Sequence, residues 1–368
     1  MTSPFALTDS FGPEKIVHLS NPAARLKAIV VIDNTALGAG IGGTRMAPDV
    51  TLEECARLAR AMTLKNALAG LPHGGAKSVI CADPSMPLAD KERLIRAFAR
   101  AISTLDGYVP GPDMGTDETC MAWIKDETGR AVGLPRLLGG IPLDEIGATG
   151  FGVAEALDAA APFSGIVSDG ARVAIQGFGA VGRHAALILA KRGARIVAVS
   201  DSGGCVSDPD GLSLDKLLEI KAAGGSVTDL ENVATAARDD VIGIDCDILV
   251  PAARPDVIHS DNVDAVRARV IVEGANIPAT IEAETDLHRR GILVIPDFVA
   301  NAGGVICASI EARGGTEGQV LGVISELIRR NTTEVLQRVG QSGDLPRDVA
   351  RRLAETRVRG AMDLRRSF

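Results

Sequence analysis

At 368 residues the chain is too long for one comfortable core and suits two domains. Its formal net charge is −8, with acidic and basic residues interspersed, so no basic stripe is offered to nucleic acid. Hydrophobic residues at 46% and charged residues at 23% describe an ordinary globular protein, and six scattered cysteines without a C-x-x-C pair exclude a disulfide framework or structural zinc.

The first residues, MTSPFALTDSFGPEK, lack a basic region followed by an apolar run, and no later stretch approaches bilayer length. A cytoplasmic protein with no membrane partner is expected. Five scattered histidines form no metal-ligand pattern, so no metal is expected either.

In chain order, the β-branched run Ala28–Asp33 reads as a strand, followed by a glycine-rich loop over Gly38–Arg45. Thr51 and Glu54 form a capping box ahead of an apolar stripe at Leu52, Cys55, Ala59 and Met62. This predicts a helix to about Leu68 with Lys65 on its last turn. Ser78–Cys81 reads as a short strand, and Leu94, Phe98, Ile102 and Leu105 mark an amphipathic helix. Glycines and prolines across Gly129–Gly147 then break the periodicity, as expected of a crossing between domains.

From Ala171 onward, apolar runs at 171–176, 194–200, 245–250, 268–274 and 291–296 alternate with helical segments. That pattern predicts an α/β fold with a mainly parallel, doubly wound sheet. Beyond Asn301 the chain reads as helical, through Val320, Ile324, Leu327, Val335 and Val339 to a last helix carrying Val349, Leu353 and Met362. The expected organisation is a substrate-binding and oligomerisation domain over 1–140, joined by C-terminal helices from about 340 to 368. A Rossmann-like domain would occupy 141–339.

Two constellations carry chemistry. The strand Val173–Gln176 runs into Gly177-Phe178-Gly179-Ala180-Val181-Gly182, with the apolar helix Ala185–Ala190 behind it. The first glycine permits a tight turn, the second lets backbone approach a pyrophosphate, and the third allows close helix–strand packing. Helix N-terminal amides would meet the phosphates. A second strand ends at Asp201, placed to accept ribose hydroxyls and to repel a 2′-phosphate. NAD is therefore expected over NADP, with Arg183 and Ser202 close by in sequence.

The other constellation is Lys65 and Lys77, separated by a turn containing Pro72, Gly74 and Gly75. One ammonium can fix a carboxylate, while another beside it is pushed toward the neutral form and becomes a usable base. Asp113 lies in the loop YVPGPDMGT, where proline and glycine leave one carboxylate pointing out. The plainer alternative is that the lysines are solvated at a helix end and Asp113 caps the next helix.

The segments MTLKNALAGLPHGGAKS, GGTR (Gly42–Arg45), PDMGT (Pro112–Thr116), ATGFGV (Ala148–Val153), EGAN (Glu273–Asn276) and NAGGV (Asn301–Val305) together resemble the amino-acid dehydrogenase superfamily. This is the group of glutamate, leucine, phenylalanine and valine dehydrogenases, and the likeness runs in order over nearly the whole chain. It implies that Lys65 holds the substrate α-carboxylate, Lys77 activates water and Asp113 shuttles a proton at the substrate nitrogen. Thr149 and Asn276 would lie near the nicotinamide, and Ala252 and Asn301 would belong to the cofactor side. The implied reaction is reversible oxidative deamination of an L-amino acid to its 2-oxo acid and ammonia. A homo-oligomer built through the N-terminal domain is also implied.

The glutamate enzymes place a lysine before the first glycine pair and a serine in the helix after NAGGV. Here those positions are Ile41 and Ala308. A pocket formed by Ile41, Gly42, Gly43, Met62, Gly111, Val305 and Ala308 suits a leucine, valine or phenylalanine side chain, because a second carboxylate would be left unpaired there. On the other side, Ser200–Gly204 and the pairing of ATG with EGAN look more like the glutamate enzymes, so glutamate is the alternative. Further alternatives are a hydroxy-acid dehydrogenase using His73, a non-catalytic NAD sensor, and a Schiff-base role for Lys77.

Overall fold

A computed structural model describes residues 5–365. Its packing separates two units. One takes in the chain through Pro142, then Val305–Gln319, then the residues from Arg352; the other comprises Leu143–Gly304 and Val320–Arg351.

The first unit is built on strands β1 (Lys15–Asn21), β2 (Leu26–Asn34), β3 (Gly40–Ala47), β4 (Gly74–Cys81) and β5 (Tyr108–Pro112), with helices α1 (Leu52–Ala69), α2 (Leu88–Ile102) and α3 (Glu118–Thr128). The sheet order is β1-β2-β4-β3-β5, with β3 parallel to both its neighbours. Alternation along the strands divides the side chains between two faces. One face packs Val31 and Val79 against Cys55 and Ala59 of α1. The opposite face buries Ile32, Met46 and Ile80 against Leu94, Phe98 and Ile102 of α2 and Met121 and Ile124 of α3.

Four expectations about this unit change. The glycine-rich loop at Gly38–Arg45 is largely strand β3, because its glycines serve close strand pairing. A Cβ on Gly42 would stand 1.6 Å from the Ala76 carbonyl oxygen. The turn between the lysines is shorter than expected, since Gly74 and Gly75 already belong to β4. Tyr108–Pro112 is a strand too; its prolines are tolerated because β5 is the sheet edge. Helix α1 starts where Thr51 Oγ1 accepts the Glu54 amide at 3.1 Å, but the Glu54 carboxylate turns to Arg45 and does not complete the capping box.

The second unit contains α4 (Ala148–Ser164), β6 (Arg172–Gln176), α5 (Ala180–Lys191), β7 (Arg195–Asp201), β8 (Gly204–Ser207), α6 (Leu214–Ala222), β9 (Ala234–Ala236), β10 (Ile248–Pro251), β11 (Val270–Val272), α7 (Ile281–Arg289), β12 (Leu293–Ile295) and α8 (Asp297–Ala300). Its sheet runs β12-β11-β10-β6-β7-β8-β9. The strands from β12 to β7 are parallel, as expected, and β8 and β9 add an antiparallel edge that the sequence pattern did not indicate.

Helices α9 (Gly303–Ala312), α10 (Glu317–Ser342) and α11 (Pro346–Asp363) complete the chain. Near the start of α11, Arg347 is gripped by Glu273, Glu284 and Asp297 at 2.6–2.7 Å. Toward its end Arg357 Nη1 donates to the Ala67 carbonyl at 2.7 Å, so the C-terminal helix contacts the N-terminal domain. No described helix is long and apolar enough to cross a membrane.

Candidate active site

Strand alternation turns Gly75, Lys77 and Val79 of β4 toward α1, and Ile41, Gly43 and Arg45 of the adjacent β3 lie on the same face. Lys77 is 6% exposed, and its Nζ lies 2.5 Å from Asp113 Oδ2. Arg45 Nε reaches that same oxygen at 3.2 Å, while its Nη1 holds Glu54 at 2.5 Å. The loop after β5 is fixed by Thr116, whose Oγ1 accepts the Asp113 amide at 3.1 Å and donates to the Thr44 carbonyl at 2.7 Å. Burial alone would push the Asp113 carboxyl up, but the Lys77 ammonium and the Arg45 guanidinium together hold it below its ordinary value. Asp113 is a carboxylate at neutral pH.

Gly43 is what allows the pair to form. A Cβ there would lie 2.7 Å from Asp113 Cβ and 3.0 Å from Lys77 Nζ. Gly111 pairs with Gly43 across β3 and β5, and a methyl on it would meet Val132 at 3.2 Å. Met62 and Lys65 are half-buried on α1. That helix is tied to the start of β4 by Asn66 Nδ2, which donates to the Gly74 carbonyl at 2.6 Å, and by Thr63, which fills the space over Gly75.

Val305 and Ala308 lie on α9, which is attached to the segment before β4 through His73 Nε2 and Ser309 Oγ at 2.9 Å. Burial, with help from Arg313, pushes the His73 imidazole down to about 4. A ring that is neutral and already bonded makes a poor general base near neutrality.

In the second unit, the expected cofactor residues gather at the carboxyl ends of the parallel strands, where open α/β sheets bind their ligands. Gly177 has φ +97°, and a Cβ on Gly182 would stand 1.8 Å from the Gly177 carbonyl oxygen. The space over Gly179 is open to 4 Å, and no side chain caps the first amides of α5. An uncapped helix start behind an unobstructed glycine turn fits a pyrophosphate. Phe178 is buried beneath the turn.

Ala252 donates its amide to the Gln176 carbonyl at 2.7 Å, which places the end of β10 beside the glycine turn. Val181 and Ala252 both face Gly274 of the EGAN segment. Asn301 Nδ2 donates to the carbonyls of Gly274 and Ala275 at 3.3 and 3.1 Å and to Asn276 Oδ1 at 3.0 Å. Its own Oδ1 is buried without a partner among the described residues. Thr149, in the first turn of α4, stands beside Gly304.

Asp201 is placed differently from expectation. Its Oδ1 accepts the Gly203 amide at 2.9 Å and Ser226 Oγ at 2.8 Å, and its Oδ2 accepts Lys221 Nζ at 2.7 Å and the Val227 amide at 3.0 Å. These four bonds close the loop after α6 and leave the carboxylate no obvious capacity for ribose hydroxyls.

Comparison with known proteins follows this division. Residues 13–130 match the model of the Glu/Leu/Phe/Val dehydrogenase dimerisation domain, and residues 139–366 match that of the Glutamate/Leucine/Phenylalanine/Valine dehydrogenases. The chain belongs to the Glu/Leu/Phe/Val dehydrogenase family. The NADP(+)-dependent glutamate dehydrogenase of Pyrobaculum calidifontis is 40% identical over 81% of this chain and 77% of its own length. The NAD-specific glutamate dehydrogenase of Staphylococcus aureus is 41% identical over 76% and 70%. Among solved structures, the hetero-hexameric glutamate dehydrogenase of Thermus thermophilus in its Leu-bound form superposes with a TM-score of 0.86 at 32% identity, covering 97% of this chain and 91% of that one.

As a family member the protein is an NAD(P)-dependent amino-acid dehydrogenase. Sequence reasoning missed one residue that supports the strands carrying Lys77 and Gly43. Tyr108, the only tyrosine of the chain, is fully buried, with its hydroxyl 2.8 Å from Ser78 Oγ, 3.2 Å from Thr44 Oγ1 and 3.2 Å from the Gly42 carbonyl. It ties β3, β4 and β5 together on the face opposite Lys77. A lone tyrosine at the head of a proline-rich segment was its only sequence signal.

Proposed function

We propose that the protein catalyses reversible oxidative deamination of L-glutamate, with Lys65, Lys77 and Asp113 as its working side chains. The observation behind the reaction is the buried Lys77–Asp113 pair at 2.5 Å, a base and an acid held within proton-transfer reach. The similarity to glutamate dehydrogenases at about 40% identity supports the choice of amino acid.

Lys65 binds the substrate α-carboxylate and so orients Cα. Asp113, ionised by its two cationic neighbours, takes a proton from the substrate ammonium. Bound NAD(P) supplies the oxidising power by accepting the Cα hydride. Lys77, having released its ammonium proton to solvent as the substrate binds, then takes a proton from the water that adds to the iminium carbon. Asp113 returns a proton to nitrogen and then accepts the proton of the newly added hydroxyl as the C–N bond breaks, so ammonia leaves with the 2-oxo acid. The reverse direction runs the same proton transfers backward. Residues Gly177–Gly182, Ala252, Asn276 and Asn301, with Thr149, hold the dinucleotide. The N-terminal unit, which matches a dimerisation domain, assembles copies of the chain into an oligomer.

A specific observation favours a second reading, an apolar amino acid such as leucine, valine or phenylalanine. Ile41 is buried on the Lys77 face of β3, and α9 carries Ala308, so neither side chain could bind a second carboxylate. A kcat/KM panel over glutamate, leucine, valine and phenylalanine separates the two. Glutamate should lead; a branched or aromatic amino acid in first place would transfer the assignment to the second reading.

A further inference from the structure

We infer that the adenosine end of the nucleotide site accepts a 2′-phosphate, with Arg238 and Arg254 as the discriminating side chains, so that the protein binds NADP(H) at least as tightly as NAD(H). This rests on the reading that the second unit binds a nicotinamide dinucleotide.

Selectivity for NAD in a glycine-loop site depends on a carboxylate at the end of the second strand, which accepts the ribose hydroxyls and repels a phosphate. Asp201 occupies that position but is only 9% exposed and accepts four local hydrogen bonds. Lys221 Nζ, at 2.7 Å, cancels its charge. A ribose hydroxyl therefore finds no vacant carboxylate oxygen here, and an incoming phosphate meets little net repulsion from this residue.

Beside it lies a cavity of about 260 Å³, bordered by Gly177, Gly179, Asp201, Ser202, Arg238 and Arg254. Arg238 follows β9, and Arg254 lies just beyond β10. Their side chains remain 40% and 45% exposed. Both bond one carboxylate, Asp239: Arg238 through Nε and Nη2 at 3.0 and 3.1 Å, and Arg254 through Nη2 at 2.9 Å. Two guanidinium charges share one counter-charge, which leaves the rim net positive. Among the described residues, Arg254 keeps Nε and Nη1 unengaged, and Arg238 keeps Nη1 unengaged.

The same cavity is lined by Ser200, whose fully buried hydroxyl has no hydrogen-bond partner. Unused arginine donors around an anion-sized recess are suited to a phosphate, and guanidinium–phosphate bonds are among the stronger charge-assisted ones. Asp239 does more than balance charge, since it holds both guanidinium groups in place at the rim.

Equilibrium titration of the full-length protein with NADPH and with NADH, followed by nucleotide fluorescence, reads this directly and requires no turnover. NADPH should bind the wild type at least as tightly as NADH. Arg238→Ala with Arg254→Ala should weaken NADPH about tenfold or more while NADH changes by less than about threefold. NADPH binding about tenfold more weakly than NADH in the wild type would overturn the inference without touching the dinucleotide reading. So would an equal loss of both nucleotides in the arginine variants. Failure of either nucleotide to bind the wild type would overturn the dinucleotide reading and this inference with it.

Discussion

Lys77 Nζ lies 2.5 Å from Asp113 Oδ2, and Arg45 Nε approaches the same oxygen at 3.2 Å. Two cations on one carboxylate oxygen explain why Asp113 stays ionised despite its burial, and they give the pair a pH signature. The Asp113 carboxyl titrates below its ordinary value of 3.8 in the folded protein. The pair's contribution to stability is therefore complete above that value and is lost as pH falls through the lower folded value. In urea unfolding, wild type should exceed Asp113→Asn by a constant margin near neutrality, and the margin should shrink under acid conditions. A margin that grows on acidification would contradict the ion pairing.

Two neighbouring glycines should fail in different ways. A methyl on Gly43 enters the space between Asp113 and Lys77, whereas a methyl on Gly42 strikes the Ala76 backbone at 1.6 Å. Gly43→Ala should lose at least about tenfold in kcat at a smaller cost in stability than Gly42→Ala, since small displacements of proton-handling groups are costly to rate. Gly42→Ala should instead lower stability by about 1–3 kcal/mol by forcing β3 and β4 apart. Thermal unfolding and steady-state kinetics on both variants check the contrast. Equal destabilisation would remove the special status of Gly43.

Much of this contrast was hidden in the one-dimensional pattern. Glycines at 38, 40, 42 and 43 resemble a loop when taken alone, and only the pairing of β3 with β4 shows that Gly40 and Gly42 allow close backbone approach. The glycine turn before α5 was easier to read because strand, glycines and helix are contiguous, so every part of the motif lies in one short window. Lys77 and Asp113 were identifiable as residues, but their contact arises from strands that meet only through tertiary pairing. Asp201 shows the same limit: its spacing is that of a ribose ligand, and the pattern does not show that Lys221 at the end of α6, with Ser226 and Val227 beyond it, comes back to bond it. Strands β8 and β9, of 4 and 3 residues, are too short to carry a periodic signal.

The proposed substrate pocket offers a gain-of-function test. Ile41→Lys combined with Ala308→Ser restores the two polar groups used by the glutamate enzymes. The double variant should raise the kcat/KM ratio of glutamate to leucine by about tenfold or more, the scale of one charge-assisted contact. If the ratio stays flat while the protein remains folded, those two positions do not face the substrate side chain.

Arg347 is the most heavily loaded cation of the second unit. It faces Glu273, Glu284 and Asp297, and Glu273 Oε1 is fully buried without a hydrogen bond. Burial, reinforced by the neighbouring carboxylates, raises the Glu273 carboxyl well above its ordinary 4.5 despite Arg347. Its stabilising contribution is therefore full below that value and declines as pH rises through the folded value. Arg347→Ala should destabilise by about 3–5 kcal/mol, because buried carboxylates lose their cation. Glu273→Gln should flatten the loss of Tm on the alkaline side. A steeper alkaline loss in that variant would refute the assignment.

The decisive measurement is the steady-state rate of ammonia release from the amino acid by Lys77→Ala, run beside equilibrium cofactor binding on the same preparation. Loss of at least about a hundredfold in rate with cofactor affinity unchanged is the expected result for a lysine that handles a proton. A rate within a few fold of wild type, or a parallel loss of cofactor binding, would show that Lys77 holds the fold and does no chemistry.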